Sequence, residues 1–262
     1  MGDRVNFTRL DSGTMININA NINIVRNSEG RAPTSTLLDG LVHVWKFDET
    51  GTSTSDLRMD SVGSDDLTPT ATVMTPSAGK SELSYTNDGS ARYLNVDSES
   101  LRNLSDGSFT FSVWINLNTI NSNSPIFASW NAFQNDRGYL LLYSASFGLR
   151  WIASSDGTVF VDAINNTISA NTWHHVVCWF DKVEGKIKMS VNNDTEITRD
   201  VSINHASSYP FLVGAFLPGS GTMTDYLNGQ IDELYCWNRV LTPEERAELY
   251  NAGVGKFYPF SN

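Results

Sequence analysis

Asp97 and Glu99 stand two residues apart. On a strand that spacing puts two carboxyls on one face at about 5 Å, which suits retaining glycoside hydrolysis. They lie, however, in a serine-rich stretch, NVDSESL, that reads as a solvated turn. Asp232 and Glu233 are adjacent, so a regular strand sends them to opposite faces. No Glu-x-Asp-x-Glu run exists. The four histidines are His43, His174, His175 and His205. His174 and His175 are neighbours and cannot meet one ion from one face, and a zinc site needs three or four ligands. Gly-x-Ser-x-Gly and Gly-Lys-Ser/Thr after a glycine-rich loop are both missing. The chemistry-bearing residues therefore point away from catalysis.

Recognition chemistry is better supplied. Sugars stack apolar faces on aromatic rings while amides, carboxylates and guanidinium groups bind their hydroxyls, and seven Trp and nine Tyr are available. The loop sequences NAFQNDRG (131–138) and LPGSGTMTDY (217–226) are polar with aromatics beside them. The net charge is −11 with only 18 Lys and Arg spread along 262 residues, which excludes a phosphate-neutralising nucleic-acid surface. No apolar run approaches the ~20 residues of a membrane helix, and MGDRVNFTRL lacks the apolar core of a signal peptide. Localisation stays open, with virion or extracellular display compatible. Asn-x-Ser/Thr sequons at Asn6, Asn103, Asn165 and Asn193 are read as chance matches. Cys178 and Cys236 fall inside apolar strands and read as buried free thiols.

The elements that must position these groups are strands. From residue 40 onward, about a dozen short alternating runs, separated by turn signals, predict an all-β, two-sheet antiparallel sandwich. Phe109 to Leu117 and Trp173 to Asp181 are the clearest, and Val183-Glu184-Gly185 turns a hairpin. Near the end, Thr242-Pro243-Glu244-Glu245 starts one short helix with a capping box, and Gly253 marks its stop. Residues 1–39 differ. Met15–Val25 alternates, with Ile16, Ile18, Ile22 and Ile24 on one face and asparagines on the other, and a polar linker follows. A lone strand is unstable in water. This arm therefore adds to the domain's own sheet or docks protein partners in a homo-oligomer or larger assembly.

Five segments, in order, resemble the laminin G-like, concanavalin A-like jelly-roll family. They are GLVHVWKFDE (40–49), DSVGSDD (60–66), GSFTFSVWIN (107–116), TWHHVVCWFD (172–181) and GQIDELYCWNRVLTPEERAELY (229–250). The resemblance implies a jelly roll over residues 40–262, and a domain that binds rather than catalyses. It makes Trp114, Trp173, Trp237 and the His pair framework residues. Trp130, Tyr143, Trp151 and Trp179 are then free for a ligand, with Asn131 and Arg137 as polar partners. Related domains carry a structural Ca²⁺ near the paired terminal motifs, which nominates Asp48, Asp60 and Asp232; turn capping by Asp60 and backbone acceptance by Asp232 are the alternatives. The expected function is a non-catalytic, lectin-like glycan or surface-binding module. A structural or decoration protein of a virus (phage) particle, and a glycoside hydrolase, are the competing readings.

Overall fold

The computed structural model describes residues 7–9, 15–17, 35–73, 75–203 and 205–260, the first two pieces as backbone only. In chain order the strands are β1 (Phe7–Arg9), β2 (Met15–Asn17), β3 (Leu41–Trp45), β4 (Thr68–Pro69), β5 (Ser77–Ala78), β6 (Leu83–Asp88), β7 (Leu94–Val96), β8 (Phe109–Leu117), β9 (Ser124–Asn131), β10 (Asp136–Ser144), β11 (Gly148–Ser154), β12 (Phe160–Asn165), β13 (His174–Asp181), β14 (Lys186–Val191), β15 (Ile197–Asp200), β16 (Phe211–Val213) and β17 (Asn228–Trp237). Two helices, α1 (Glu99–Arg102) and α2 (Pro243–Tyr250), complete the set with two 3-10 turns.

The expected all-β sandwich is present. One sheet runs β12-β11-β10-β9-β16-β7-β4 and the other β15-β14-β13-β8-β17-β6-β5, with β3 also on β17. Among the described residues every pairing between these strands is antiparallel, as the jelly roll requires. Alternation sends Phe109, Phe111 and Val113 inward from one sheet and Phe127, Tyr139 and Trp151 inward from the other. Burying such rings at roughly 25 cal/mol per Å² is the main stabilising contribution. Cys178 and Cys236 belong to this core as free, buried thiols, as expected.

The outer face of the eight-stranded sheet is closed by the chain's end. Thr242 caps α2, its hydroxyl accepting from the Glu245 N–H, while the Glu245 carboxylate accepts from the Thr242 N–H. Arg239 clamps Glu245 through both guanidinium ends at 2.7 Å. Leu37, Val44, Tyr235, Trp237, Leu249 and Phe260 form a second buried cluster there. The helix stops earlier than Gly253 suggests, because Asn251 takes the left-handed conformation at the cap (φ 44).

Three sequence expectations change. Leu83–Asp88 and Ile197–Asp200 are strands that the alternation did not single out. Glu99 does not lie in an open turn: Ser98 caps a short helix there, and Asp97 pairs with Arg102 at the surface. Among the described residues, the start of the arm strand is paired with neither large sheet. Met15–Asn17 pairs instead with Phe7–Arg9, Ile16 opposite Thr8. Ile18, Ile22 and Ile24 lie outside the described residues.

Candidate functional site

The six residues nominated for a ligand separate into four environments. Trp151 points into the inter-sheet core at 0% exposure, its indole N–H donating to the Trp179 carbonyl at 3.2 Å. It packs edge-on to Phe109 and cannot meet a sugar. Trp179 faces the other way, as alternation predicts, but Arg246 of α2 lies 4.3 Å from its ring and leaves it 1% exposed. Trp130 is on the outer face of the seven-stranded sheet, shut in by Phe160 and by the Arg137 guanidinium. The polar partners there are spent. Arg137 donates to the carbonyls of Ala132, Gly157 and Thr158 and to the Asn135 amide oxygen. Asn131 closes on Gln134 through both side-chain atoms. These residues pin the 131–138 loop rather than offer it to a ligand.

Tyr143 is the exception. It ends β10 where the chain turns through Ala145, Ser146 and Phe147 into β11, and Gly148 takes φ +83 to complete that turn. A groove of about 410 Å³ opens there, lined by Ile120, Tyr143, Phe147, Ile164, Asn166 and Ile168, with no charged side chain among its lining. Phe147 is 56% exposed, with the Arg150 guanidinium 5.2 Å from its ring. Arg150 is itself neutralised by Asp162 at 2.7 Å. The Tyr143 hydroxyl and the Ser146 and Asn166 side chains make no hydrogen bond among the described residues. Burial raises the Tyr143 phenol above its ordinary value, so it stays a neutral donor. The sequence reading nominates Tyr143 but not Phe147 or Asn166, which the structure places in the same groove. Exposure at a hairpin tip has no signature in the sequence beyond the turn itself.

The three aspartates nominated for calcium do not converge. Among the described residues, no group of three or more His, Cys, Asp or Glu side chains forms a metal cage. Asp60 is saturated: His43 at 2.7 Å and the N–H groups of Val44, Val62 and Gly63 occupy its oxygens. Asp48 accepts from the Leu83 N–H and pairs with the Lys46 ammonium at 2.7 Å. Asp232 accepts the N–H groups of Lys80 and Ser81 on one oxygen; its other oxygen has no partner.

Asp232 has company that alternation denied it. A bulge interrupts β17 between Asp232, opposite Trp114, and Tyr235, opposite Ser112. Glu233 takes φ 52 within it. The extra residue leaves Leu234 in the core and Tyr235 in the outer cluster, with the Tyr235 hydroxyl donating to Glu233. Asp232 and Glu233 thus share the outer face at 0% exposure, instead of pointing apart. The bulge falls where β17 changes neighbour along one edge, from β6 (through Ile231) to β3 (from Leu234). Burial pushes Asp232 up to about 8 and Glu233 to about 7. Asp232 Oδ1 and Glu233 Oε1 are the unpartnered oxygens, hard donors of the kind Ca²⁺ takes, which would need carbonyls and water to complete its shell.

The His pair is framework. His175 Nε2 is 2.8 Å from the Ser112 hydroxyl, and burial pushes its imidazole down to about 3. His174 Nε2 accepts from the Ser169 N–H.

Residues 88–245 match the laminin G profile described as the concanavalin A-like lectin/glucanases superfamily. The chain belongs to that superfamily. No curated protein matches it. Among solved structures that share the jelly roll is domain 4 of AbnA, a GH43 extracellular arabinanase from Geobacillus stearothermophilus, in complex with arabinotriose. That match has 17% identity and a TM-score of 0.59, covering 82% of this chain and 98% of that one. The binding domain of botulinum neurotoxin DC in complex with SialylT aligns at 13% identity and TM-score 0.58, over 82% of this chain and 52% of the other. Trypanosoma rangeli sialidase aligns at 13% identity and TM-score 0.59, over 86% and 36%. The chain therefore spans about half of the toxin domain and about a third of the sialidase. At these identities the likeness is one of fold. No helix among the described residues is long and apolar enough to cross a membrane.

Proposed function

We propose that the chain is a lectin-like binding module that seats a neutral glycan in the groove between Tyr143 and Phe147. The observation that carries this reading is unspent recognition chemistry at one place. An exposed phenyl ring, a phenol, an amide and a hydroxyl line one uncharged groove, and none of the polar groups is used by the fold. Structural neighbours captured with arabinotriose and SialylT make a glycan the natural ligand class. Glycosidic cleavage is not part of the proposal: the carboxyl pair that the β17 bulge brings together, Asp232 and Glu233, is sealed from solvent. A structural Ca²⁺ held by the free oxygens of that pair is.

Ligand-observed NMR against neutral and sialylated oligosaccharides tests the seat. Neutral sugars bind the intact protein, and Phe147→Ala or Asn166→Ala weakens them about tenfold, the loss of one stacking or hydrogen-bond contact. If the intact protein binds no glycan, the lectin reading fails; if both variants bind as before, only the seat does.

A second reading has one observation behind it. β1 and β2 form a sheet of their own, apart from both large sheets. A strand pair that shares no hydrogen bonds with either large sheet among the described residues suits an arm that docks a subunit into a homo-oligomer or a virion. Deleting residues 1–34 and measuring native mass tests this; an unchanged mass removes it.

A further inference from the structure

His43, Asp60 and Ser100 come from β3, the turn after it and the first turn of α1, and they meet in one hydrogen-bonded line. His43 Nδ1 is 2.7 Å from Asp60 Oδ2, and His43 Nε2 is 2.9 Å from Ser100 Oγ. The ring is fixed: it stacks on Trp45 at 5.2 Å and 8°, and is 4% exposed. Burial alone would raise the Asp60 carboxyl, but His43 and the N–H groups of Val44, Gly63 and Val62 hold it below its ordinary value. An ionised carboxylate on Nδ1 keeps the ring proton there, so Nε2 presents its lone pair to Ser100. Ser98 donates to Asp65 Oδ2. The Ser100 hydroxyl has two acceptors within reach, donating to Asp65 Oδ2 at 2.9 Å in the resting arrangement and needing only to rotate to meet His43 Nε2 at 2.9 Å. Asp65 Oδ2 lies 3.6 Å from Nε2.

This constellation borders solvent. Ser100 is exposed and lines a cleft of about 250 Å³ with Val42, Asn103, Leu104 and Asn238. The Asn238 side chain is exposed and makes no hydrogen bond among the described residues, so it is free to bind a carbonyl oxygen in that cleft. We propose that Ser100 is a nucleophile for acyl transfer, with His43 as its base and Asp60 as the positioning residue, acting on short, uncharged carboxylic esters. Ser100 Oγ bonds to the ester carbonyl carbon as its proton passes to Nε2. The carbon–oxygen bond to the alcohol then breaks, and the leaving oxygen takes that proton. Water repeats the sequence, giving its proton to His43, adding to the acyl carbon and releasing Ser100. The sum is ester plus water to acid plus alcohol. The size of the cleft selects a short acyl group, Val42 and Leu104 favour an apolar one, and Asp65 and Glu99 nearby turn anions away. The assignment uses none of the residues of the glycan groove and stands apart from it. The order His, Asp, Ser along the chain, with no Gly-x-Ser-x-Gly, explains why a motif search passes it over.

The test is a fluorophosphonate probe on the full chain, read by peptide mass. Ser100 Oγ displaces fluoride from phosphorus, its proton goes to His43, and the adduct maps to Ser100. In parallel, p-nitrophenyl acetate hydrolysis falls about a hundredfold or more in Ser100→Ala, the scale of a lost nucleophile–base pair, with an unchanged melting temperature because Ser100 is exposed. Asp60→Asn lowers kcat with KM retained in the folded fraction, a split that loss of fold alone does not give. An adduct on Ser98 instead, no adduct at all, or equal hydrolysis by Ser100→Ala overturns the proposal; kcat unchanged in Asp60→Asn removes the role of Asp60.

Discussion

Two buried acid sites, Asp60 in the turn after β3 and Asp232 with Glu233 on β17, behave oppositely. Asp60 is surrounded by donors: a ring N–H and several backbone N–H groups occupy both of its oxygens, and its carboxyl is held down as an anion. Asp232 and Glu233 are buried as deeply, yet each keeps an oxygen without a partner, and burial drives both upward. Burial is common to the two sites, so it does not decide the charge. The number of N–H groups aimed at each oxygen does.

Removing Asp60 breaks that contrast most severely. Asp60→Ala strands His43 and the N–H groups of the 60–65 turn, and should cost about 3–5 kcal/mol in urea unfolding, as for one partner lost from a buried polar network. A loss below about 1 kcal/mol would show that the turn finds other acceptors. The effect of calcium ranks next. Saturating Ca²⁺ at about a hundred times its Kd should add roughly 2.7 kcal/mol, more at pH 8 than at pH 5 because protons compete for the same oxygens. A melting temperature indifferent to Ca²⁺ and to chelator at both pH values ends the calcium proposal.

The smallest effect is the pH dependence itself. Asp232 and Glu233 have folded values above their unfolded ones, near 3.8 and 4.5. The folded state holds protons longer, so stability falls as pH rises from about 4 through 8. Asp60, depressed in the fold, works in reverse: its contribution is present above 3.8 and is lost as pH falls through its lowered value. Asp232→Asn should therefore stabilise at pH 8 by at least about 1.4 kcal/mol, the value of a single pKa unit, and change little at pH 4. A metal-free profile in which the variant and the parent run parallel is the outcome that contradicts this.

The same lesson applies to recognition. Trp130, Asn131 and Arg137 have the composition of a sugar site, and at the other end of β10 Tyr143 sits in an unremarkable run. The first group has used its donors to pin a loop; the second has not. Residue types were legible in the sequence, and their satisfaction was not, because partners such as Gly157 and Thr158 lie about twenty residues away from Arg137. Trp151 and Trp179 illustrate a related limit. The sequence nominates both as free for a ligand, and only packing shows that Trp151 lies in the core and Trp179 beneath Arg246.

By itself the sequence determined what local physics controls: alternating strands, a capped helix at Thr242, buried free thiols, and a sandwich whose five segments fall in family order. Tertiary structure alone decided where alternation breaks. The bulge at Glu233 turns two carboxyls to one side because β17 must serve β6 and β3 in succession along a single edge. Likewise only folding brings Ser100 within reach of His43, 57 positions earlier in the chain. Long-range register and the sharing of hydrogen bonds depend on residues that no window of sequence contains.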